Sequence, residues 1–133
     1  MKKLDIDTLK NFLLVNDCPI LIEDIPNEIF EDSVILCNDC DVSELNGHYE
    51  GIDFVPPTWY KILTEKSKNQ HSILIINQIN SIPLNEQLKF TEILKYRKIS
   101  TFDLPTNCSV IVTCSDLQNK PISEEIYSLV AHI

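Results

Sequence analysis

Glycine is scarce in this chain: 2 in 133 residues, Gly47 and Gly51, both in one polar stretch. With only 7 prolines beside them, the chain is neither low-complexity nor collagen-like. Basic residues are also few. Lys and Arg total 11 against 20 Asp and Glu, and Arg97 is the sole arginine. The formal net charge of -9 repels nucleic-acid phosphates and anionic lipid surfaces, so neither nucleic acid nor membrane is an expected partner. The basic run Lys95-Tyr96-Arg97-Lys98 reads as the complement of a helix dipole on a solvated face. No apolar run approaches the length of roughly 18 residues that a membrane span needs. The N-terminal stretch carries Asp5, Asp7 and Asp17 in place of a sustained apolar core, which argues against a signal peptide. A cytoplasmic protein is the resulting expectation. No G-x-S-x-G nucleophile elbow is present.

What is there suits one domain with a real core, since 44% of residues are hydrophobic. The cysteines are Cys18, Cys37, Cys40, Cys108 and Cys114, and an odd number fits a reducing compartment better than a disulfide framework. Cys37 and Cys40 have CxxC spacing, but they follow an apolar run instead of opening a helix, and no second pair completes a zinc site. They read as structural thiols, and no metal or cofactor is expected. His48, His71 and His132 are too dispersed to define a metal site and read as surface or hydrogen-bonded histidines.

The strongest pattern lies in residues 71–117. An apolar run, SILIINQIN, leads to Pro83 and an amphipathic helix, then to a second apolar run, SVIVTCSD. Unbroken apolar runs of this length mark strands buried on both faces, and two of them around a helix make a βαβ unit of a parallel sheet. Upstream, residues 7–15 read as a helix and residues 19–23 and 33–37 as short buried strands. Residues 38–51 read as loop with one helical turn at 42–45. Pro57 sits in the first turn of a helix on which Trp59, Ile62 and Leu63 form a stripe. After Pro83, a single helix is expected with Phe90, Ile93, Leu94 and Arg97 in one row. Residues 121–127 read as a short helix and 129–133 as a last strand. The series predicts a three-layer α/β fold around an open parallel sheet of about five strands with right-handed crossovers.

The order of elements and the stretch Asn77-Gln78-Ile79-Asn80-Ser81-Ile82-Pro83 resemble the core of AAA+ ATPases, in particular the dynein, midasin and magnesium-chelatase branch. The resemblance spans residues 18–133 and is most specific over 72–116. It implies the P-loop NTPase-like strand order 5-1-4-3-2. It also implies that Asn77 and Gln78 stand where the family carries its acidic Walker B pair, and that Ser115 and Asp116 end the strand that carries the family's sensor residue. The departures fall where the chemistry would be. The family's phosphate loop, G-x-x-x-x-G-K-[ST], is replaced after the first strand by residues 23–32, which hold no Gly, no Lys and five carboxylates. An amide supplies neither a charged partner to Mg²⁺ nor a general base. The arginine finger and the helical lid have no counterpart either. An unrelated flavodoxin-like or Rossmann-like sheet remains the alternative fold.

These features point away from an enzyme and toward an inactive AAA+-like domain that works through a protein partner or self-association. Phe30, Tyr49, Phe54 and Tyr96 are the expected apolar anchors. Two other readings stand beside it. One is a small enzyme using Glu23, Asp24, Asn77, Ser115 and Asp116 in the crevice at the carboxyl ends of the strands, where open α/β sheets bind ligands. Within that crevice, Glu23, Asp24 and Asp116 are a candidate divalent-cation set. The other is a domain that senses nucleotide without hydrolysing it.

Overall fold

The computed structural model describes residues 6–15, 18–23, 27–37 and 40–132. In chain order the first half comprises α1 (Ile6–Val15), β1 (Ile20–Ile22), α2 (Asn27–Asp32), β2 (Val34–Cys37), α3 (Val42–Asn46), β3 (His48–Glu50), β4 (Asp53–Val55) and α4 (Thr58–Ser67). The second half comprises β5 (Ser72–Asn77), α5 (Leu84–Gln87), α6 (Thr91–Tyr96), β6 (Lys98–Ile99), β7 (Phe102–Asp103), β8 (Cys108–Thr113), α7 (Glu124–Tyr127) and β9 (Ala131–His132). Two 3₁₀ turns, Ile79–Ser81 and Leu88–Phe90, complete it.

The apolar runs form a five-stranded sheet in the order β2-β5-β8-β1-β9, with every pairing parallel. Counting only these five strands along the chain, the order from the β9 edge is 5-1-4-3-2. The central strands β5 and β8 are held in register from Ser72 opposite Cys108 to Ile76 opposite Val112.

Successive side chains of a strand point to opposite faces, and here both faces are covered. Leu21, Leu36, Leu74, Ile76, Val110 and Val112 pack with Trp59, Leu63, Phe90, Ile93, Leu94 and Ile126. Ile20, Ile22, Ile73, Ile75 and Ile111 pack on the other face with Leu9, Leu13 and Ile29. This is a three-layer α/β fold. Each such side chain, removed from water, contributes roughly 1.5–3 kcal/mol before conformational entropy is charged against it.

Several elements differ from the sequence reading. Residues 48–55, expected within or beside a loop, form the antiparallel hairpin β3–β4, and β6–β7 is a second hairpin. Three-residue strands whose side chains are largely exposed leave no hydrophobic alternation to detect. The helix expected after Pro83 is broken into α5, a 3₁₀ turn and α6. Gln87 and Phe90 are both fully buried, and residues three apart align on one side when a helix tightens to 3₁₀. The last helix is confined to α7 and the last strand to Ala131–His132, with Ile133 outside the described residues.

Arg97 leaves the solvated basic run altogether. It ends α6 in the left-handed conformation, φ 55°, and its guanidinium donates to the carbonyls of Pro105 and Cys108 at 2.9 Å each. Phe30 and Phe54 are partly buried, so of the four expected anchors Tyr49 and Tyr96 are the exposed ones.

The two glycines differ in what they permit. Gly47 has φ +84°, and a Cβ there would collide with the Val55 carbonyl oxygen. Gly51 has φ +66° and open space around it. Alanine at Gly51 is expected to cost about 1 kcal/mol, the price of the left-handed conformation, and alanine at Gly47 about 2–3 kcal/mol because β4 must also shift. Thermal melts of the two variants check this, and equal drops in Tm would contradict it.

Candidate functional site

The crevice expected from the sequence lies at the carboxyl ends of β5 and β8, and the structure fills it with amide hydrogen bonds. β5 ends in Asn77, and Gln78 follows in the left-handed conformation, φ 53°. The Thr113 hydroxyl donates to Asn77 Oδ1 at 2.9 Å and accepts the Gln78 backbone N–H at 2.8 Å. The Ser115 hydroxyl donates to Gln78 Oε1 at 2.7 Å. Asn77, Gln78 and Ser115 are thus brought together, as tethers between two strand ends.

Asp116 does not join them. It turns the chain at φ 54°, its carboxylate accepts from Asn119 Nδ2 at 2.9 Å, and its carbonyl accepts the backbone N–H groups of Asn119 and Lys120.

Two further amides, passed over in the sequence, extend the network inward. Asn80 is 3% exposed; its Nδ2 donates to the carbonyls of Ser115 at 2.5 Å and Lys120 at 2.7 Å, and its Oδ1 accepts the Ser115 N–H. Gln87 Nε2 donates to the carbonyls of Ile82 and Pro121 at 3.1 Å, and its Oε1 accepts the Ser123 N–H at 2.8 Å. Buried main-chain groups in loops need such partners. The only sequence signal was the density of amides after an apolar strand.

On the β1 side of the same strand ends, the Glu23 carboxylate lies 3.9 Å from His132 Nε2, while His132 Nδ1 lies 2.7 Å from the Tyr127 hydroxyl. Cys114, fully buried nearby, has its thiol pushed up to about 11, first by burial and then by the Glu23 charge. Asp24 lies outside the described residues, as does the Cys37 side chain, so neither the Glu23–Asp24–Asp116 set nor the Cys37–Cys40 pair is built here. Cys18, Cys40, Cys108 and Cys114 are not in disulfides.

A thiol so protected stays protonated and unreactive at neutral pH. In native protein at pH 8, a thiol reagent is expected to label exposed Cys18 while Cys108 and Cys114 react only on unfolding, as read by peptide mass mapping. Labelling of Cys114 at the rate of Cys18 would contradict the packing.

At the amino ends of the strands, His71 Nε2 meets the Ser109 hydroxyl at 2.7 Å, and that hydroxyl donates to the Leu13 carbonyl at 3.1 Å. The serine proton is therefore committed and the histidine is the donor, the reverse of a nucleophile–base pair. Burial, and secondarily the Arg97 charge, lowers the His71 pKa. Neutral His71 thus belongs to the folded state. This contribution to stability is present above the ordinary value of 6.5 and is lost as acid protonates the unfolded chain.

A further opening lies beside the edge strand β2. A groove of about 460 Å³ runs between β2, the β3–β4 hairpin and the start of α4. Ile35, Leu36, Val55, Pro57 and Trp59 supply its apolar lining, with Glu44, His48 and Lys61 among the polar residues. Its wall is braced. Trp59 Nε1 donates to the Leu45 carbonyl at 3.0 Å and the Tyr60 hydroxyl to the Asp103 carbonyl at 2.6 Å. Ring contacts run from Tyr49 to Phe54, Phe102 and Tyr60 at 5.2–5.7 Å. The sequence reading missed this groove because it is assembled from three segments, two of them read as loop and helix start.

Among the described residues, no group of three or more His, Cys, Asp and Glu side chains is placed to hold a metal ion, and no helix is long and apolar enough to cross a membrane. No protein-family model matches the chain, and no curated protein does.

Proposed function

We propose that the chain is a catalytically inactive, AAA+-like α/β domain that acts by contacting another protein. The observation that carries this reading is the state of Asn77 and Gln78. Both side chains are uncharged and engaged by residues of the neighbouring strand end, Thr113 and Ser115. The AAA+-like ancestry is supported by the sheet order over its five strands and by the place of these two amides at the end of the third. Mg²⁺ bound to a triphosphate needs a carboxylate ligand, and hydrolysis a general base, and neither amide supplies either.

Calorimetric titration with Mg-ATP and with a non-hydrolysable analogue tests the reading. No binding heat and no phosphate release are expected. Micromolar binding accompanied by perturbation of Gln78 and Ser115 would overturn it and favour a nucleotide sensor.

A further inference from the structure

We infer that the groove along the outer edge of β2 receives an extended, lysine- or arginine-bearing segment of another protein, which adds to the sheet as a sixth strand. This rests on the contact reading above and gives it a place and a partner chemistry.

The main chain comes first. Among the described residues β2 pairs only with β5, through the register Val34–Leu74 to Cys37–Asn77. Polar groups alternate along a strand, so half of those on β2 point away from β5 to the open edge. Folded proteins protect such an edge with a charge, a proline, a bulge or extreme shortness. Val34, Ile35, Leu36 and Cys37 carry no charge and no proline. The opposite edge strand, β9, is described over Ala131–His132 and ends at a histidine hydrogen-bonded to Tyr127. Among the described residues β2 is the edge with four consecutive uncharged positions left able to pair.

The side chains come next. An added strand places alternate residues on each face, and affinity from main-chain bonds is then made selective by pockets. β2 has such a pocket alongside it, the groove walled by Leu36, Val55, Pro57 and Trp59. Ile35, 41% exposed and also part of the groove lining, is left for a further apolar contact.

Charge selects the partner. Glu44 lines the groove beside Lys61 and His48, and three more exposed carboxylates lie on the segments around it, Asp41 just before α3 and Glu50 and Asp53 on the adjoining hairpin, where Glu50 faces His48 at 3.3 Å. The chain as a whole carries -9, so a second copy is repelled and a basic segment is attracted.

The probe is a short capped peptide of alternating lysine and valine, titrated into isotope-labelled full chain and followed by amide resonances and hydrogen exchange. Shifts confined to residues 34–36, 44–48 and 55–61 are expected, with exchange at the open β2 amides slowed at least tenfold at saturation. A peptide with prolines at alternate positions, or one with glutamate for lysine, is expected to bind at least tenfold more weakly. Three results would overturn the inference: no response, equal binding by the proline peptide, or β2 amides already protected in a dimer of the free chain. Binding of the peptide at Gln78 and Ser115 would also overturn it while leaving the contact reading intact. A response to Mg-ATP alone would sink both.

Discussion

Asn80→Asp is expected to destabilise the fold by about 3–5 kcal/mol at neutral pH, the range for an uncompensated buried charge. The side chain is 3% exposed and its Nδ2 donates to two carbonyl oxygens, those of Ser115 and Lys120. A carboxylate of the same shape has no proton to give. It would set negative charge against two carbonyl dipoles with no water to replace the lost bonds. The deficit should shrink in acid, where the carboxyl regains a proton and one donor. Gln78→Glu is the control. Its neighbour there is the exposed Ser115 hydroxyl, which can donate to a carboxylate as it does to Gln78 Oε1, so about 1 kcal/mol or less is expected. Chemical denaturation of both variants at pH 7 and pH 4 measures the difference. Equal losses would mean that Asn80 is not the buried tie the geometry makes it.

Gln87→Ala is the second large effect, expected near 3–4 kcal/mol from a lost side-chain volume plus three main-chain groups left without their partner. Gln87 is fully buried and clasps the carbonyls of Ile82 and Pro121 and the N–H of Ser123. It holds the start of α5 against the segment leading into α7. Gln87→Leu keeps volume but not the bonds, so it should recover only the packing part. Equilibrium unfolding separates the two contributions, and a fully restored leucine variant would show that packing alone matters.

Both residues mark the boundary of what the sequence makes legible. The buried strands are written in local pattern. Ile73–Ile76 and Val110–Val112 are unbroken apolar runs that only a sheet covered on both faces accommodates. Asn77 and Gln78 stand out at the end of such a run, and their meeting with Ser115 follows from β5 and β8 being neighbours. The roles of Asn80 and Gln87 are not local. Apart from Ile82, their partners lie 34–40 residues away in loops whose path the sequence does not reveal. The same holds for Arg97, which looks like one more cation at a helix end until Pro105 and Cys108 present their carbonyls. The hairpins stayed hidden because strands of two or three residues carry no period. The groove stayed hidden because Ile35, Val55 and Trp59 meet only once those hairpins exist.

Where the chain does its work is a choice between two ends of one sheet: the amide-filled crevice after β5 and β8, or the open edge of β2. The deciding measurement is the affinity of the lysine–valine peptide for three proteins, the unaltered chain, Gln78→Ala/Ser115→Ala and Ile35→Lys. Ile35 is exposed enough for lysine to be tolerated, and a lysine on an edge strand blocks pairing with a basic segment. Unchanged affinity in the crevice variant and at least a tenfold loss in Ile35→Lys are expected. Loss in the crevice variant with full binding by Ile35→Lys would contradict the assignment of function to the edge.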